Sequence, residues 1–199
     1  MRYHEHLSKD PVLRKIIRTT GPVVVRKRPD TFKYLCRSVL AQQISTTVAR
    51  ILEERLHALI PEDKFNPEAV LRLQADRLRS IGLSRIKTEY LRNIATFYQD
   101  LELEDPVLSK LDDESVIELL TQIKGVGRWT VEMLLMFSLG RKDVFPLDDF
   151  GIRQAMMTHY PLSGLKGAGL RSAMQQIAMP WAPFRTYAAL HLWRMKDRS

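Results

Sequence analysis

Apolar and polar positions follow a helical spacing along most of the chain. From Phe32, apolar residues recur every three or four positions: Leu35, Cys36, Val39 and Leu40. This spacing is that of an amphipathic helix with one face against a core. Thr31 directly precedes the pattern and is of a type that caps helix N-termini, so we expect the helix to start there.

The pattern pauses at Gln42-Gln43 and then resumes with the same spacing: Ile44, Val48, Ile51, Leu52 and Leu56. Ser45 stands where a cap for this second helix is needed, and Pro61 stands where it must end. The sequence therefore predicts two helices joined by a short polar break.

Further helices follow by the same reasoning. Ser84 caps a run of apolar residues on one face, and Asp112 or Asp113 starts another. A helix begins near Asp148-Asp149, and Pro183 opens the last one. Val23–Val25 is the one strand-like run and is too short to imply a sheet. The predicted fold class is all-α.

The segment from Arg128 to Leu139 is apolar on nearly every side, which is typical of a helix in the middle of a protein. Gly140 follows it and is the kind of residue that ends a helix. Cys36 lies in an apolar helical pattern, and we expect it in the core.

The composition narrows the class of protein. The chain has 199 residues, 45% of them hydrophobic, which suffices for one domain or two small lobes. No stretch approaches the ~20 apolar residues of a membrane span, and Met1–Asp10 lacks the apolar centre of a signal peptide. We therefore expect a protein inside the cell, in the cytoplasm or, in a eukaryote, the nucleus, with no membrane partner.

The charge balance favours a polyanionic partner. Lysine and arginine number 31 against 23 acidic residues, a net charge of +8, although a merely basic protein is the alternative. With Cys36 as the single cysteine, an internal disulfide, a cysteine-rich zinc site and a four-cysteine cluster are excluded. The His4-x-His6 pair is the one histidine spacing that suits a metal, and we assign it to a mobile terminus.

The most informative segment is a glycine turn between two helical patterns. In Lys124-Gly125-Val126-Gly127-Arg128, two glycines flank one apolar residue. Glycine permits a positive φ and a close approach of another backbone. Val126 can then point inward while the nearby amides face a phosphate oxygen, with Lys124 and Arg128 adding positive charge. The alternative is an ordinary helical turn with glycine for packing.

This segment, together with the later 144–153 stretch that contains Asp148-Asp149, resembles the helix–hairpin–helix DNA glycosylase superfamily. Within it, the chain is most similar to the 3-methyladenine DNA glycosylase II branch. Residues 187–193 resemble that branch's last helix, and residues 38–45 resemble its lesion-probing loop. The similarity extends from about Thr31 to Trp193.

The resemblance implies a fold of two helical lobes with a DNA-binding cleft between them. Residues 31–139 would form the central lobe that ends in the hairpin, and residues 1–30 with 140–199 the other. It implies a monomeric base excision repair enzyme that binds double-stranded DNA with damaged bases. Such an enzyme flips out alkylated purines, 3-methyladenine and 7-methylguanine, and hydrolyses their N-glycosyl bonds, leaving an abasic site.

The chemistry calls for a carboxylate, because breaking a glycosyl bond builds positive charge on the sugar. Asp148 and Asp149 are both candidates, and either could cap a helix. The register of the resemblance assigns catalysis to Asp149 and capping or support to Asp148. It also places Trp129 where strand-nicking relatives carry a lysine, which implies a monofunctional enzyme.

The resemblance implies a base pocket and DNA contacts as well. Trp129 and Trp193 would line the pocket, with Met133 where the typical enzyme has an aromatic residue. Gln43 would be the intercalating wedge beside Ser45. The alternatives are a core position for either tryptophan and an exposed helix end for the glutamine.

No catalytic metal or organic cofactor is implied. The resemblance suggests a structural Na⁺ or K⁺ on the hairpin, bound by the backbone carbonyls of Thr121, Ile123 and Val126. The remaining alternatives are a superfamily member acting on an oxidised or mismatched base, and a DNA-binding hairpin module without chemistry.

Overall fold

The computed structural model describes residues 2–28 and 30–196, and within these ranges the regular secondary structure is helical, without a strand. Val23–Val25 does not form a strand, as expected from its length. The prediction of an all-α fold is confirmed. The chain divides into two compact units, residues 28–134 and residues 1–27 with 135–199. The division at 30/31 and 139/140, and the cleft, stay predictions.

The first unit contains the middle helices of the chain. They are α3 (Thr31–Ala41), α4 (Thr46–Leu59), α5 (Pro67–Arg72), α6 (Ala75–Ser80), α7 (Arg85–Asp100), α8 (Asp105–Lys110), α9 (Asp113–Leu120) and the start of α10 (Arg128–Phe137), with a 3₁₀ turn at Glu62–Lys64. Helix α7 packs against α3 and α5. The apolar face predicted from Phe32 onward is buried, and Cys36 lies in the core as expected.

The helix starts follow local side-chain chemistry. The side-chain oxygens of Ser45, Ser84 and Asp112 accept backbone N–H groups of the first turns of α4, α7 and α9, which confirms these caps. The cap predicted at Thr31 is wrong. Asp30 caps α3 by accepting the Lys33 amide at 2.8 Å, because its carboxylate reaches the free amides from one position earlier.

The second unit joins both ends of the chain. Its helices are α1 (Tyr3–Leu7), α2 (Pro11–Thr20), the end of α10, α11 (Phe150–His159), α12 (Gly167–Ala178) and α13 (Arg185–Lys196), with a 3₁₀ turn at Met179–Trp181. Helix α13 packs against both α2 and α11. Its residues Ala188, Ala189 and Leu192 are fully buried, so α13 lies at the centre of this unit.

The expectation that the terminus around His4 and His6 is mobile is wrong. The Tyr3 ring stacks on Tyr187 with centroids 4.3 Å apart, and His6 Nε2 lies 2.9 Å from the Pro180 carbonyl oxygen. These partners, which are distant in the chain, hold α1 in place. The five residues of α1 are too few to show a helical periodicity, so the sequence did not indicate these contacts.

Helix α10 is buried along its middle but not at its ends. Val131, Leu134 and Leu135 are completely inaccessible, whereas Trp129 and Phe137 are 47% and 36% exposed. The expectation of an apolar helix surrounded by protein is therefore wrong for these two aromatic residues. Among the described residues, no helix is both long and apolar enough to span a bilayer.

Candidate functional site

Asp149 is a buried, oriented carboxylate at the start of α11. Its Oδ1 atom accepts the Ile152 backbone N–H at 2.8 Å, which makes it the helix cap, and the Trp193 indole N–H at 2.8 Å. The residue is only 9% exposed. A carboxylate that accepts two N–H groups has a fixed direction, and its negative charge is little screened by water.

Asp148 has the opposite surroundings. Its side chain is 61% exposed and forms an ion pair with Arg171. Of the two roles expected for Asp148, cap or support, the cap is wrong, since Asp149 has that role. A turn in which the Asp149 amide donates to the Pro146 carbonyl at 3.1 Å leaves Asp149 with the extended backbone that a cap requires.

Gly151 explains how Trp193 comes so close to Asp149. A Cβ atom at position 151 would lie 2.9 Å from Trp193 Cδ1 and 3.1 Å from Asp149 Oδ1. Any side chain there would separate the indole from the carboxylate. Sequence reasoning did not select Gly151, although a glycine in the first turn of a helix is a signal of close approach.

Two further aromatic residues near Asp149 were also not selected. Phe137 stacks against Trp193, with centroids 6.0 Å apart and an angle of 27° between the rings. Phe150 follows Asp149 and is 67% exposed, with Lys196 Nζ 5.6 Å from its ring centroid. In this unit, the aspartate therefore bonds an indole ring that stacks on a second aromatic ring.

The glycine turn has the predicted geometry. Gly125 has φ 103°, and Val126 points into the core of its unit. A Cβ atom on Gly125 would overlap the Tyr90 ring, whereas one on Gly127 would meet open space. Gly125 is thus required by the fold, while no protein neighbour explains Gly127.

The cations beside the turn are paired with carboxylates. Lys124 Nζ lies 2.7 Å from Glu89 Oε1, and Arg128 bonds both oxygens of Glu114 at 2.6 and 3.0 Å. These hydrogen bonds lower the pKa of Glu89 and of Glu114. Arg128 Nε also lies 3.1 Å from Oε1 of the buried Glu132. The positive charge expected beside the turn is therefore compensated by carboxylates, and the pairs with Glu89 and Glu114 are exposed enough to exchange partners.

The break between α3 and α4 touches the glycine turn. Gln42 donates from its side chain to the Gly125 carbonyl at 3.1 Å. The next residue, Gln43, is exposed and has φ 57°, which is uncommon for a residue with a side chain. Ser45 caps α4. The sequence selected Gln43 and Ser45 but missed Gln42, whose partner is distant in the chain.

The remaining predicted residues lie on α10 and in the turn. Trp129 presents part of its ring at the surface of its unit, and Met133 is 6% exposed, in the core. The Ile123 carbonyl accepts the Val126 amide at 2.9 Å. A carbonyl oxygen has two lone pairs, so this bond leaves Ile123 able to face a cation together with Thr121 and Val126. The pocket and the cation site stay predictions.

Comparison with known proteins gives a consistent result. Residues 36–181 match the family model described as HhH-GPD superfamily base excision DNA repair protein. The chain is 34% identical to the DNA-3-methyladenine glycosylase 1 of Schizosaccharomyces pombe over 195 residues, 95% of this chain and 84% of that protein.

Two solved structures share the fold along nearly the whole chain. A DNA-3-methyladenine glycosidase from Bacillus halodurans superimposes with a TM-score of 0.87 at 31% identity, covering 98% of this chain and 89% of that one. The S. pombe 3-methyladenine DNA glycosylase in complex with abasic DNA gives 0.83 at 31% identity, covering 99% and 97%.

Proposed function

Because the chain belongs to the HhH-GPD superfamily of base excision DNA repair proteins, we propose that it hydrolyses the N-glycosyl bonds of alkylated purines in double-stranded DNA. Its substrates are 3-methyladenine and, more slowly, 7-methylguanine, and its product is an abasic site. The observation that carries this proposal is Asp149, a buried carboxylate whose Oδ1 is held by two N–H donors.

Asp149 acts on the sugar. As the C1′–N bond breaks, positive charge develops on the deoxyribose ring. A negative charge fixed before the reaction stabilises that transition state without reorganising, and burial strengthens the attraction. The Ile152 amide and the Trp193 indole hold the carboxylate in one orientation.

One carboxylate is sufficient for the favoured substrates. An alkylated purine such as 3-methyladenine already carries positive charge and leaves without a strong general acid. Water is the nucleophile, because Trp129 stands where strand-nicking relatives carry the lysine that forms a Schiff base. The enzyme is therefore monofunctional, and the abasic strand remains intact.

The hairpin holds the DNA backbone. The open space at Gly127 lets a phosphate oxygen approach the adjacent amides. Lys124 and Arg128 each exchange one exposed carboxylate partner for phosphate, at small cost because exposed ion pairs contribute at most about 1 kcal/mol. Arg128 keeps its second ion pair, with the buried Glu132. A Na⁺ or K⁺ ion on the carbonyls of Thr121, Ile123 and Val126 would add positive charge at this point.

Gln43 fills the space that the flipped base leaves. Residues held at a positive φ without being glycine concentrate at functional sites, and Gln43 combines this backbone with an exposed side chain. Its amide can bond the orphaned base. Ser45, as the cap of α4, fixes where the loop ends.

The two tryptophans select the base. The negative face of an indole attracts cationic, electron-poor rings, so Trp129 and Trp193 favour alkylated purines. Met133 adapts its shape and leaves the pocket roomier than an aromatic residue would. Hypoxanthine, which is uncharged, is released slowly.

The protein acts as a monomer.

The test uses duplexes that each carry one 3-methyladenine, 7-methylguanine or hypoxanthine. Purified protein is expected to release the three bases in that order of rate, measured in single turnover. The product strand is expected to break only on alkali treatment, and borohydride is expected to trap no covalent complex. Equal release of hypoxanthine and 3-methyladenine, or efficient trapping, contradicts the proposal.

A further inference from the structure

A cavity of about 380 Å³ lies between α11 and α12, within the same unit as Asp149. Leu170 and Met174 are buried and form part of its lining. Two guanidinium groups, those of Arg153 and Arg171, share this cavity. None of its lining residues is aromatic.

The two arginines are not fully compensated. Arg171 forms an ion pair with Asp148, and both side chains are exposed. The guanidinium of Arg153 has no hydrogen bond or ion pair with any residue that the structure describes. The cavity therefore holds two positive charges and one negative charge. A planar guanidinium matches the oxygens of a phosphate, and two of them can share one.

We propose that this cavity binds a backbone phosphate of the DNA duplex, and that Asp148 holds Arg171 until the phosphate replaces it. This inference rests on the proposed function for the identity of the polyanion. Without an aromatic ring the cavity offers no stacking surface for a nucleobase, which favours the backbone of a duplex over a free nucleotide.

The position of the cavity agrees with this assignment. The Arg153 amide donates to the Asp149 carbonyl at 3.0 Å, so the arginine lies one helical turn after the proposed catalytic residue. Asp148, which also lines the cavity, directly precedes Asp149 in the chain. A phosphate held here would fix the lesion strand near Asp149, separately from the contacts of the hairpin.

Salt dependence tests the cavity directly. Each phosphate contact contributes about 0.9 to the slope of log affinity against log salt concentration. For an undamaged duplex, the double variant Arg153→Ala/Arg171→Ala is expected to reduce the slope by about that amount, and each single variant by part of it, because the two arginines share one phosphate. Arg153→Lys should keep the slope, since it keeps the charge.

Arg72→Ala is the matched control. Arg72 is an exposed arginine of α5 paired with Glu68, so its loss removes the same charge elsewhere and should leave the slope unchanged. Far-ultraviolet circular dichroism during heating verifies that each variant is folded. Arg153→Gln provides a second neutral variant if Arg153→Ala melts early.

Asp148→Asn gives an effect of opposite sign. Because it frees Arg171, affinity for the undamaged duplex is expected to rise about two- to fivefold, the range of one exposed ion pair. An affinity that stays constant or falls contradicts the proposed exchange.

The remaining outcomes separate the sources of phosphate and the two proposals. Arginine variants with the wild-type slope, or saturable binding of inorganic phosphate that requires Arg153 without any change in the duplex slope, overturn the inference. If the wild-type protein releases no alkylated base, the proposed function fails, while the slopes on undamaged duplex still report on the cavity.

Discussion

The Asp149 region and the glycine hairpin use charge in opposite ways. Asp149 is buried, and two rigid N–H donors fix one of its oxygens. Lys124 and Arg128 are exposed, and each has an exposed carboxylate partner that it can leave. A group that stabilises a transition state works best when it cannot move, whereas groups that grip a long polymer must release and rebind. The two regions should therefore respond differently to substitution.

Asp149→Asn should give the largest effect. Asparagine caps a helix about as well as aspartate, so the fold is kept, but the negative charge is lost. Excision of 3-methyladenine in single turnover is expected to fall at least about 10²- to 10³-fold. Duplex affinity, measured by fluorescence anisotropy, should change little. Asp148→Asn is the control and should retain most of the excision rate; equal losses in both variants would remove the distinction between the aspartates.

Gly125→Ala should damage the hairpin through the fold. The added methyl meets the Tyr90 ring, and a positive φ with a side chain costs ~1 to 2 kcal/mol by itself. We expect a decrease of ~2 to 4 kcal/mol in the free energy of unfolding, measured with urea. A stability equal to wild type would show that Tyr90 and the turn can rearrange.

Trp193→Phe should weaken catalysis moderately. Phenylalanine can still stack on Phe137 but cannot donate to Asp149 Oδ1. Losing one hydrogen bond to a charged group costs ~1.5 to 3 kcal/mol, so single-turnover excision at saturating enzyme should fall about 10- to 100-fold. Duplex affinity should be kept. A wild-type rate would show that the indole N–H does not orient the carboxylate.

Gly127→Ala should lower the affinity of the hairpin for DNA without changing the stability of the protein. Its methyl enters open space, so the free energy of unfolding should stay within ~0.5 kcal/mol of wild type. Affinity should fall equally for damaged and undamaged duplexes, because phosphate contacts carry no base information. A selective loss for damaged DNA would give this glycine a role in lesion recognition.

At neutral pH the smallest effect concerns His191, on the same helix as Trp193. Burial, then the nearby Arg194 and His4, lower the pKa of His191 to about 4, and Thr20 Oγ1 lies 2.6 Å from its Nδ1. The unfolded chain takes up the proton at higher pH than the folded chain. Stability should therefore fall as pH drops from about 6.5 to about 4. His191→Asn, measured by urea unfolding across this range, should show a flatter dependence.

Sequence reasoning succeeded where the cause is local. The caps at Ser45, Ser84 and Asp112 bond amides three residues away, and the Gly125 turn depends on its own backbone. Interactions between residues close in the chain can be predicted from the sequence.

It failed where the partner is distant in the chain. The Asp149–Trp193 bond spans 44 positions, and the overlap that makes Gly125 obligatory involves Tyr90. The sequence also did not predict which carboxylates pair with Lys124 and Arg128. Residue type alone did not distinguish Asp148 from Asp149 as the cap, because either aspartate suits the role and only the Pro146 turn decides.

The double duty of Asp149, as helix cap and as proposed catalyst, has a consequence for natural variation. Serine, threonine and asparagine also cap helices, so selection for a folded protein alone would tolerate them at this position. Selection for repair would reject all three. Such alleles would encode well-folded proteins that still occupy lesions, and they would shield damage from other enzymes instead of simply being absent.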